Sequence, residues 1–503
     1  MNISVDFSKE KGKIKPIHGV GGGPVTGRFC SNKVQEFKDA RIPYSRLHDT
    51  EGQMGSGEFV NIHCIFKNFD ADVNDPNSYN FECTDKYIEY IKEAGTEVFY
   101  RLGETIENKC MIVRTHTFVP KDFQKWAEIC EHIIRHYNEG WANGYHMDIK
   151  YWEIWNEPEG APDHNPNWSG TPEEYYELYR ITANHLKSCF PNLKIGGFAS
   201  TGFYEFSEEG IPAGVSTIPT DKIREGQTNH TTKFIKGFFE YITAEETKAP
   251  IDFFSWHFYG TSVDRAKFEI ECSQRTLETY GLGHIENILD EWNYMECWHP
   301  SEGRTRKSNV GAAFTSAMHT MMQKSPLSKS MYYDAEIGRR AFCGLFNEYE
   351  GYTEKPYFQF LVFGNLYELG TEVEVSEDKD GIYTLAATDG EKGGIIVTNY
   401  HGEDTNCSLD IKGLAGEKIC EIYMTDIDRK HEKICEFTAK DISKINLSFC
   451  YNCFMKFIPP ITIFVNNIRN IFNTIYSLMS DIYYIHNIIS LLSTKNCGRL
   501  KIK

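Results

Sequence analysis

The 503-residue chain lacks any excess of positive charge. Its formal net charge is −18, which argues against nucleic acid or an anionic membrane as a partner, since either needs a basic face. It also lacks a bilayer-spanning run. Even the isoleucine-rich C-terminal stretch is broken by Asn, Arg and Asp before reaching the ~18 apolar residues a span requires. The N-terminus, Met-Asn-Ile-Ser-Val-Asp-Phe-Ser-Lys-Glu, has no apolar core of a secretory signal, so a cytoplasmic location is expected. The fifteen cysteines show no spaced framework, and Cys130, Cys189 and Cys420 fall inside apparent helices and strands. They read as reduced, mostly buried thiols. Cys450 and Cys453 form a lone Cys-x-x-Cys without a second pair, and there is no HExxH, so no metal and no cofactor is expected. The one glycine cluster, at 19–23, lacks both GxGxxG and a following Lys-Ser/Thr, which leaves a phosphate-binding turn unsupported.

Two stretches organise what is present. Residues 150–158 read Lys-Tyr-Trp-Glu-Ile-Trp-Asn-Glu-Pro. They are aromatic and aliphatic like a buried strand, and then stop at a proline that cannot donate to a sheet. Glu157 is therefore delivered to a strand's carboxyl end by hydrophobic sequence. Residues 285–293, Ile-Glu-Asn-Ile-Leu-Asp-Glu-Trp-Asn, place Glu291 the same way. A strand-terminating glutamate bonded to a neighbouring loop is the plain reading of either one. Two of them in one chain suggest a carboxylate pair.

From residue 16 onward strands and helices alternate. Strands are predicted to end near residues 21, 49, 104, 158, 199, 260, 293 and 334, and helices to span 32–41, 84–94, 120–137, 172–190, 231–247, 263–280, 309–324 and 356–367. Eight such units predict an α/β fold, a closed (β/α)8 TIM barrel over 16–369, with an open doubly wound sheet as the alternative. Short alternating runs over 370–447 predict a smaller all-β sandwich, to which residues 1–15 add a strand. The segment 448–503 has a single acid, Asp481, and eleven isoleucines. We read this atypical tail as translated AT-rich sequence, from a frameshift or gene-model error, in place of the sandwich's own ending.

Barrel closure would gather the strand ends at one rim. That rim would hold Arg46, His48 and Asp49, Arg101 and Glu104, Asn156 and Glu157, His257 and Tyr259, Glu291 and Trp292, and Asp334 with Glu336. Six tryptophans (152, 155, 168, 256, 292 and 298) fall in strand ends or the loops after them. Flat apolar faces with a few fixed polar groups suit a sugar. Cleaving a glycosidic bond needs one carboxylic acid and one carboxylate. Trp155 and its apolar strand would desolvate Glu157 and raise its pKa. Arg46 would keep Glu291 ionised and Tyr259 would bond it. Parity sends Glu153 into the barrel, with Arg101 its expected partner.

At this point Trp-Glu-Ile-Trp-Asn-Glu-Pro (152–158) resembles the strand-4 motif of the (β/α)8 retaining glycosidases whose two glutamates stand on strands 4 and 7. Ser45-Arg46-Leu47-His48, the Trp-His-Phe-Tyr-Gly of 256–260, Asp290-Glu291-Trp292-Asn293 and Phe342 to Asn347 are similar to glycoside hydrolase family 39, the β-xylosidase and α-L-iduronidase family, over about residues 16–445. The resemblance implies Glu157 as acid/base, Asn156 on the substrate's 2-hydroxyl and Glu291 as nucleophile. Arg46, His48, His257, Tyr259, Trp292 and Glu336 become the substrate-binding candidates. It implies a covalent glycosyl-enzyme and a β-xylosidase acting on xylo-oligosaccharides or related plant glycosides. The loops at 50–80 and 204–230 depart from that pattern, so an iduronidase- or arabinosidase-like specificity stays open. So do a non-catalytic carbohydrate-binding protein and a homo-oligomer.

Overall fold

The structure is a computed structural model and describes residues 2–26, 31–50, 59–104, 117–159, 167–202, 227–296, 302–337, 342–347, 351–377, 380–401, 405–440, 444–449 and 455–458. Eight parallel strands close into a barrel: Gly19–Gly21, Tyr44–Leu47, Glu97–Leu102, Tyr151–Ile154, Lys194–Ser200, Phe253–Gly260, Glu286–Tyr294 and Lys329–Tyr332. They are numbered first to eighth below. Helices stand between them at Val34–Asp39, Glu82–Glu93, Phe123–Glu139, Pro172–Cys189, Gln227–Thr243, Val263–Thr279 and Asn309–Gln323, and Lys355–Leu369 follows the last strand. The predicted TIM barrel is thus present, and the open-sheet alternative falls.

Local chemistry explains the boundaries. Thr171 accepts from the Glu174 amide at 3.2 Å while the Glu174 carboxylate accepts from the Thr171 amide at 2.8 Å, a reciprocal cap that starts Pro172–Cys189. The helix Phe123–Glu139 opens on the Asp122 carboxylate and closes on Gly140 at φ 77°. Among the described residues no helix is long and apolar enough to cross a membrane.

The barrel interior is built in layers. Phe99, Tyr151, Phe253, Ile288 and Met331 meet near the strands' amino ends. Below them Lys329 lies over the Tyr151 ring at 4.6 Å and pairs with Glu286. Two residues further along the same strands, equal parity places Arg46, Arg101, Glu153 and Asp290 inside.

The second unit is a nine-stranded sheet. Strand Asn2–Lys13 enters it between Thr371–Glu377 and Thr405–Lys412, burying Ile3, Val5 and Phe7 in alternation. One face packs on the barrel through Leu385, Ala387, Ile396 and Tyr400. The Tyr400 hydroxyl donates to the Thr261 carbonyl at 2.6 Å. The other face forms a separate cluster that includes Ile395, Val397, Leu409 and Ile422. The predicted boundary at 447 is too early. Strand Lys444–Phe449 runs across it, and Met455–Ile458 pairs with both Gly393–Asn399 and Glu417–Met424. The rest of the tail, Cys450, Cys453, Trp298 and nearly all of 204–230 lie outside the described residues. Among the described cysteines, Cys130, Cys272, Cys343, Cys407 and Cys420 are buried, whereas Cys83 and Cys435 are exposed.

Candidate active site

The fourth strand ends in an unusual backbone. Trp155 has φ 74° and Glu157 φ 46°, a left-handed conformation that costs a non-glycine residue energy and persists only where surroundings enforce it. Here the Glu157 amide faces the carbonyls of Phe198 and Ala199 on the fifth strand, at 3.2 and 3.1 Å. The carboxylate is thereby turned over the barrel mouth.

The seventh strand reaches the same place by another device. Ile288 points into the barrel, so alternation alone would put Asp290 inside and Glu291 outside. The register with the sixth strand instead steps from Leu289–Trp256 to Glu291–His257. This bulge at Asp290 turns Glu291 inward as well. One oxygen of Glu157 and one of Glu291 come within 4.8 Å of each other, with a His257 nitrogen equally near.

Arg46, fully buried, ties the site together. Its Nη1 donates to Glu291 Oε1 at 2.8 Å, its Nη2 to Asn156 Oδ1 at 2.7 Å and its Nε to Glu153 Oε2 at 2.7 Å. Asp290 Oδ2 is 2.8 Å from the same Nε. Burial works against the guanidinium charge, but Asp290, Glu153 and Glu291 more than offset it, so it stays a cation. Because Asn156 Oδ1 is taken by the cation, its amide orientation is fixed. Nδ2 then has no protein partner among the described residues.

The second oxygen of Glu291 accepts from the Tyr259 hydroxyl at 2.7 Å. Burial and then the Glu291 charge push that phenol far up, which keeps it a donor. His48 Nε2 is 3.8 Å from Glu291 and 3.3 Å from Asp49. Glu157 has a different escort. Oε1 is 2.6 Å from His257 Nδ1, and Oε2 accepts from Asn167 Nδ2 at 3.0 Å. His257 is itself held down at about 4 by burial, hence neutral near pH 7.

Burial raises Glu157 to about 7, with Arg46 and Asn167 opposing and Asp49 adding to the rise. Glu291 is also raised by burial, but His257, Arg46 and the Tyr259 hydroxyl pull against it. Only Glu291 touches a cation directly. The arrangement favours a proton on Glu157 and a charge on Glu291.

Four expectations need correction. Glu153 pairs not with Arg101 but with Arg46 and with the Ser255 hydroxyl at 2.6 Å; Arg101 donates to Asn61 instead, at 2.7 Å. Trp292 does not line the mouth. Following the bulge it points outward and packs edge-on against His319 and Tyr332. Glu336 accepts from Tyr87 at 2.6 Å and crowds Gly22, beside the first strand and away from the two glutamates' contacts. Trp152, Trp155, Trp168 and Trp256 are buried as packing: Trp152 and Trp256 have the parity opposite to Glu153 and His257, while Trp155, at positive φ, packs against Trp126 and Trp168 instead of entering the barrel. Trp155 therefore acts on Glu157 through backbone position. The aromatic wall over Glu291 comes from Tyr259, Tyr333 and Phe342, with Tyr333 bonded to Asp49 at 2.9 Å.

Sequence reasoning missed Asn167, Asp290 as a site residue, and Phe342 as a wall. Asn167 sits in a loop with no periodicity to place it. Asp290 was missed because strict alternation lets only one of Asp290 and Glu291 face inward, and the bulge admits both.

The family model described as Glycosyl hydrolases family 39 matches residues 1–293. A Beta-xylosidase of Caldicellulosiruptor saccharolyticus is 26% identical over 214 residues, 40% of each chain. A Beta-xylosidase of Geobacillus stearothermophilus is 22% identical over 304 residues, 56% of this chain and 52% of that one. The chain thus spans about half the length, or less, of these curated relatives. Among solved structures, a glucosidase from Croceicoccus marinus has a TM-score of 0.71 at 21% identity, covering 90% of this chain and 96% of that one. That likeness concerns the fold.

Proposed function

The chain belongs to glycosyl hydrolases family 39, and from that premise we propose that it is a retaining glycoside hydrolase working through a covalent glycosyl-enzyme. One observation carries the reading: two strand-end carboxylates within 4.8 Å, one bound by a cation and the other not. Retention requires carboxyl groups about 5–5.5 Å apart, whereas inversion needs about 6.5–9.5 Å to admit a water.

In the first step Glu291, held by Arg46 and Tyr259, attacks the anomeric carbon as the glycosidic bond breaks. Glu157 gives its proton to the departing oxygen. The products are a sugar ester on Glu291 and an ionised Glu157. In the second step Glu157 takes a proton from water, the hydroxide adds at the anomeric carbon, and Glu291 is released as carboxylate. Neutral His257, with its proton on Nδ1, donates to Glu157 Oε1 once that carboxyl is ionised. The free Asn156 Nδ2 donor suits a substrate hydroxyl beside the anomeric centre.

For the sugar we propose a β-linked xyloside, supported by the two relatives named as β-xylosidases. The test is a panel of aryl glycosides with proton NMR of the first-formed product. Turnover of the β-xyloside with release of β-xylose is expected. First-formed α-anomer would overturn retention. Turnover only of arabinosides or iduronides would overturn the sugar assignment, and binding without turnover of any member would overturn catalysis.

A further inference from the structure

The helices Phe123–Glu139 and Pro172–Cys189 pack side by side outside the barrel. His185 and Cys189 stand one turn apart on the second, so they share a face. Glu131 of the first helix reaches across to that face. His185 Nε2 lies 2.6 Å from Glu131 Oε2 and 4.0 Å from Cys189 Sγ, and one atom of each residue lies within 4.8 Å of the other two. The side chains of Glu131 and His185 are only 14% and 18% exposed, and Cys189 is half-buried. The sequence concealed this group, because Glu131 and His185 are 54 residues apart.

We propose that Glu131, His185 and Cys189 form a binding site for a zinc-type divalent ion that staples these two helices. A thiolate, an imidazole and one carboxylate oxygen are the donors a borderline-soft ion selects, whereas magnesium and calcium prefer all-oxygen sets. Zinc bonds of about 2.0–2.3 Å arranged tetrahedrally separate the ligand atoms by roughly 3.3–3.7 Å. The present 2.6 and 4.0 Å separations bracket that range, so small rotamer shifts close the site. A water fills the fourth position.

The surroundings fit as well. Arg135 Nε occupies the other oxygen of Glu131 at 2.7 Å, which leaves Oε2 for the ion. Gln124 lies 3.2 Å from His185 Nδ1. Its amide can donate to Nδ1 when Nε2 carries the proton, or turn over and accept from Nδ1–H when Nε2 binds metal. The thiol's contacts with the Ser188 hydroxyl at 3.9 Å and His185 Nε2 at 4.0 Å are long and weak. On binding, Cys189 releases its proton to solvent, and the ion takes the thiolate pair. Cys189 ends its helix and the fifth strand starts at Lys194, so the site lies toward the strands' amino ends, opposite the two glutamates.

The test uses the full chain, stripped of metal by chelator and titrated with Co²⁺ as a spectroscopic stand-in. One equivalent is expected to give a near-ultraviolet thiolate-to-cobalt charge-transfer band, which Zn²⁺ then removes. Zn²⁺ is expected to raise the Tm of the parent chain. Cys189→Ser and His185→Gln should both lose the band and the Tm rise, with unchanged glycoside turnover showing that they fold. No band in the parent chain, or a band unaltered in Cys189→Ser, overturns the site. Equal zinc stoichiometry in parent and Cys189→Ser would place the ion elsewhere, for instance on the Glu157, His257 and Glu291 group, and would also overturn it. Glu131→Gln should weaken binding at least tenfold, and undiminished affinity there would refute the staple between helices.

Discussion

The two ends of the barrel interior are made by the same strands in opposite ways. Toward the amino ends, Phe99, Tyr151, Phe253 and Ile288 fill the space with apolar surface. Two residues along each strand, the positions of equal parity are Arg101, Glu153, Ser255 and Asp290. Beyond them come His257 and Glu291. An apolar layer gains stability from each buried side chain, about 1.5–3 kcal/mol apiece. A charged layer loses it, because every carboxyl there has been taken from water and only partly recompensed by one arginine. The lower half of the barrel holds the upper half in a geometry the upper half would not adopt alone. The positive φ at Trp155 and Glu157 is part of what it holds.

That contrast can be broken most sharply at the top. Glu291→Ala removes the nucleophile and should abolish turnover of every glycoside whatever its leaving group. Steady-state rates on a leaving-group series measure this. Residual activity that persists with good leaving groups would assign the nucleophile elsewhere. Glu157→Ala should behave differently. Good leaving groups need little protonation, so the glycosyl-enzyme should form and accumulate, and azide should release it as a glycosyl azide. Poor leaving groups should lose about 10²–10⁴-fold. In the parent chain the alkaline limb of kcat/KM should fall near the value of about 7 given to Glu157 by its burial. That limb should vanish in Glu157→Ala. The reverse pattern in the two variants would exchange their roles.

At the bottom the expected effect is on stability alone. Phe253 packs within 5.2 Å of Phe99 and 5.8 Å of Tyr151, ring centre to ring centre. Phe253→Ala should cost about 3–5 kcal/mol by denaturant unfolding, while the leaving-group dependence of the folded fraction stays as in the parent. A changed dependence would mean that the two layers are not separable.

How far these layers were legible follows from the same physics. The barrel could be read because eight helical periods alternate with buried strands, and the apolar layer because period-two patterning survives in Tyr151, Phe253 and Ile288. Glu157 and Glu291 were legible since proline and polar residues end their strands. What escaped depends on departures from regular geometry. The bulge at Asp290 reverses the facing of Glu291 and of Trp292 together. Arg46 and Arg101 have the same parity, so nothing in the sequence decided which would take Glu153. Distances decided it: Arg46 reaches three carboxyls and Asn156, while Arg101 is drawn to Asn61.

The smallest expected effect bears on whether the upper layer is held at a cost. Glu157 has an ordinary carboxyl pKa of 4.5 when unfolded and about 7 when folded. Below about pH 4.5 both states are protonated, and the group contributes nothing to the difference. Between 4.5 and 7 the unfolded chain loses the proton while the folded one keeps it, so stability falls as pH rises. Above 7 the full penalty is present. Glutamine at 157 stays neutral throughout, and it can reproduce both bonds, donating to His257 Nδ1 and accepting from Asn167 Nδ2. Glu157→Gln should therefore match the parent in Tm at pH 4 and exceed it at pH 8. With the Glu157 side chain 20% exposed, solvent screens part of the charge, and the gain at pH 8 should be on the order of 1–2 kcal/mol. Thermal unfolding of the two chains at the two pH values measures it. Equal Tm differences at pH 4 and pH 8 would mean that Glu157 is not held protonated by its burial, and would remove the physical reason for assigning it the acid's part.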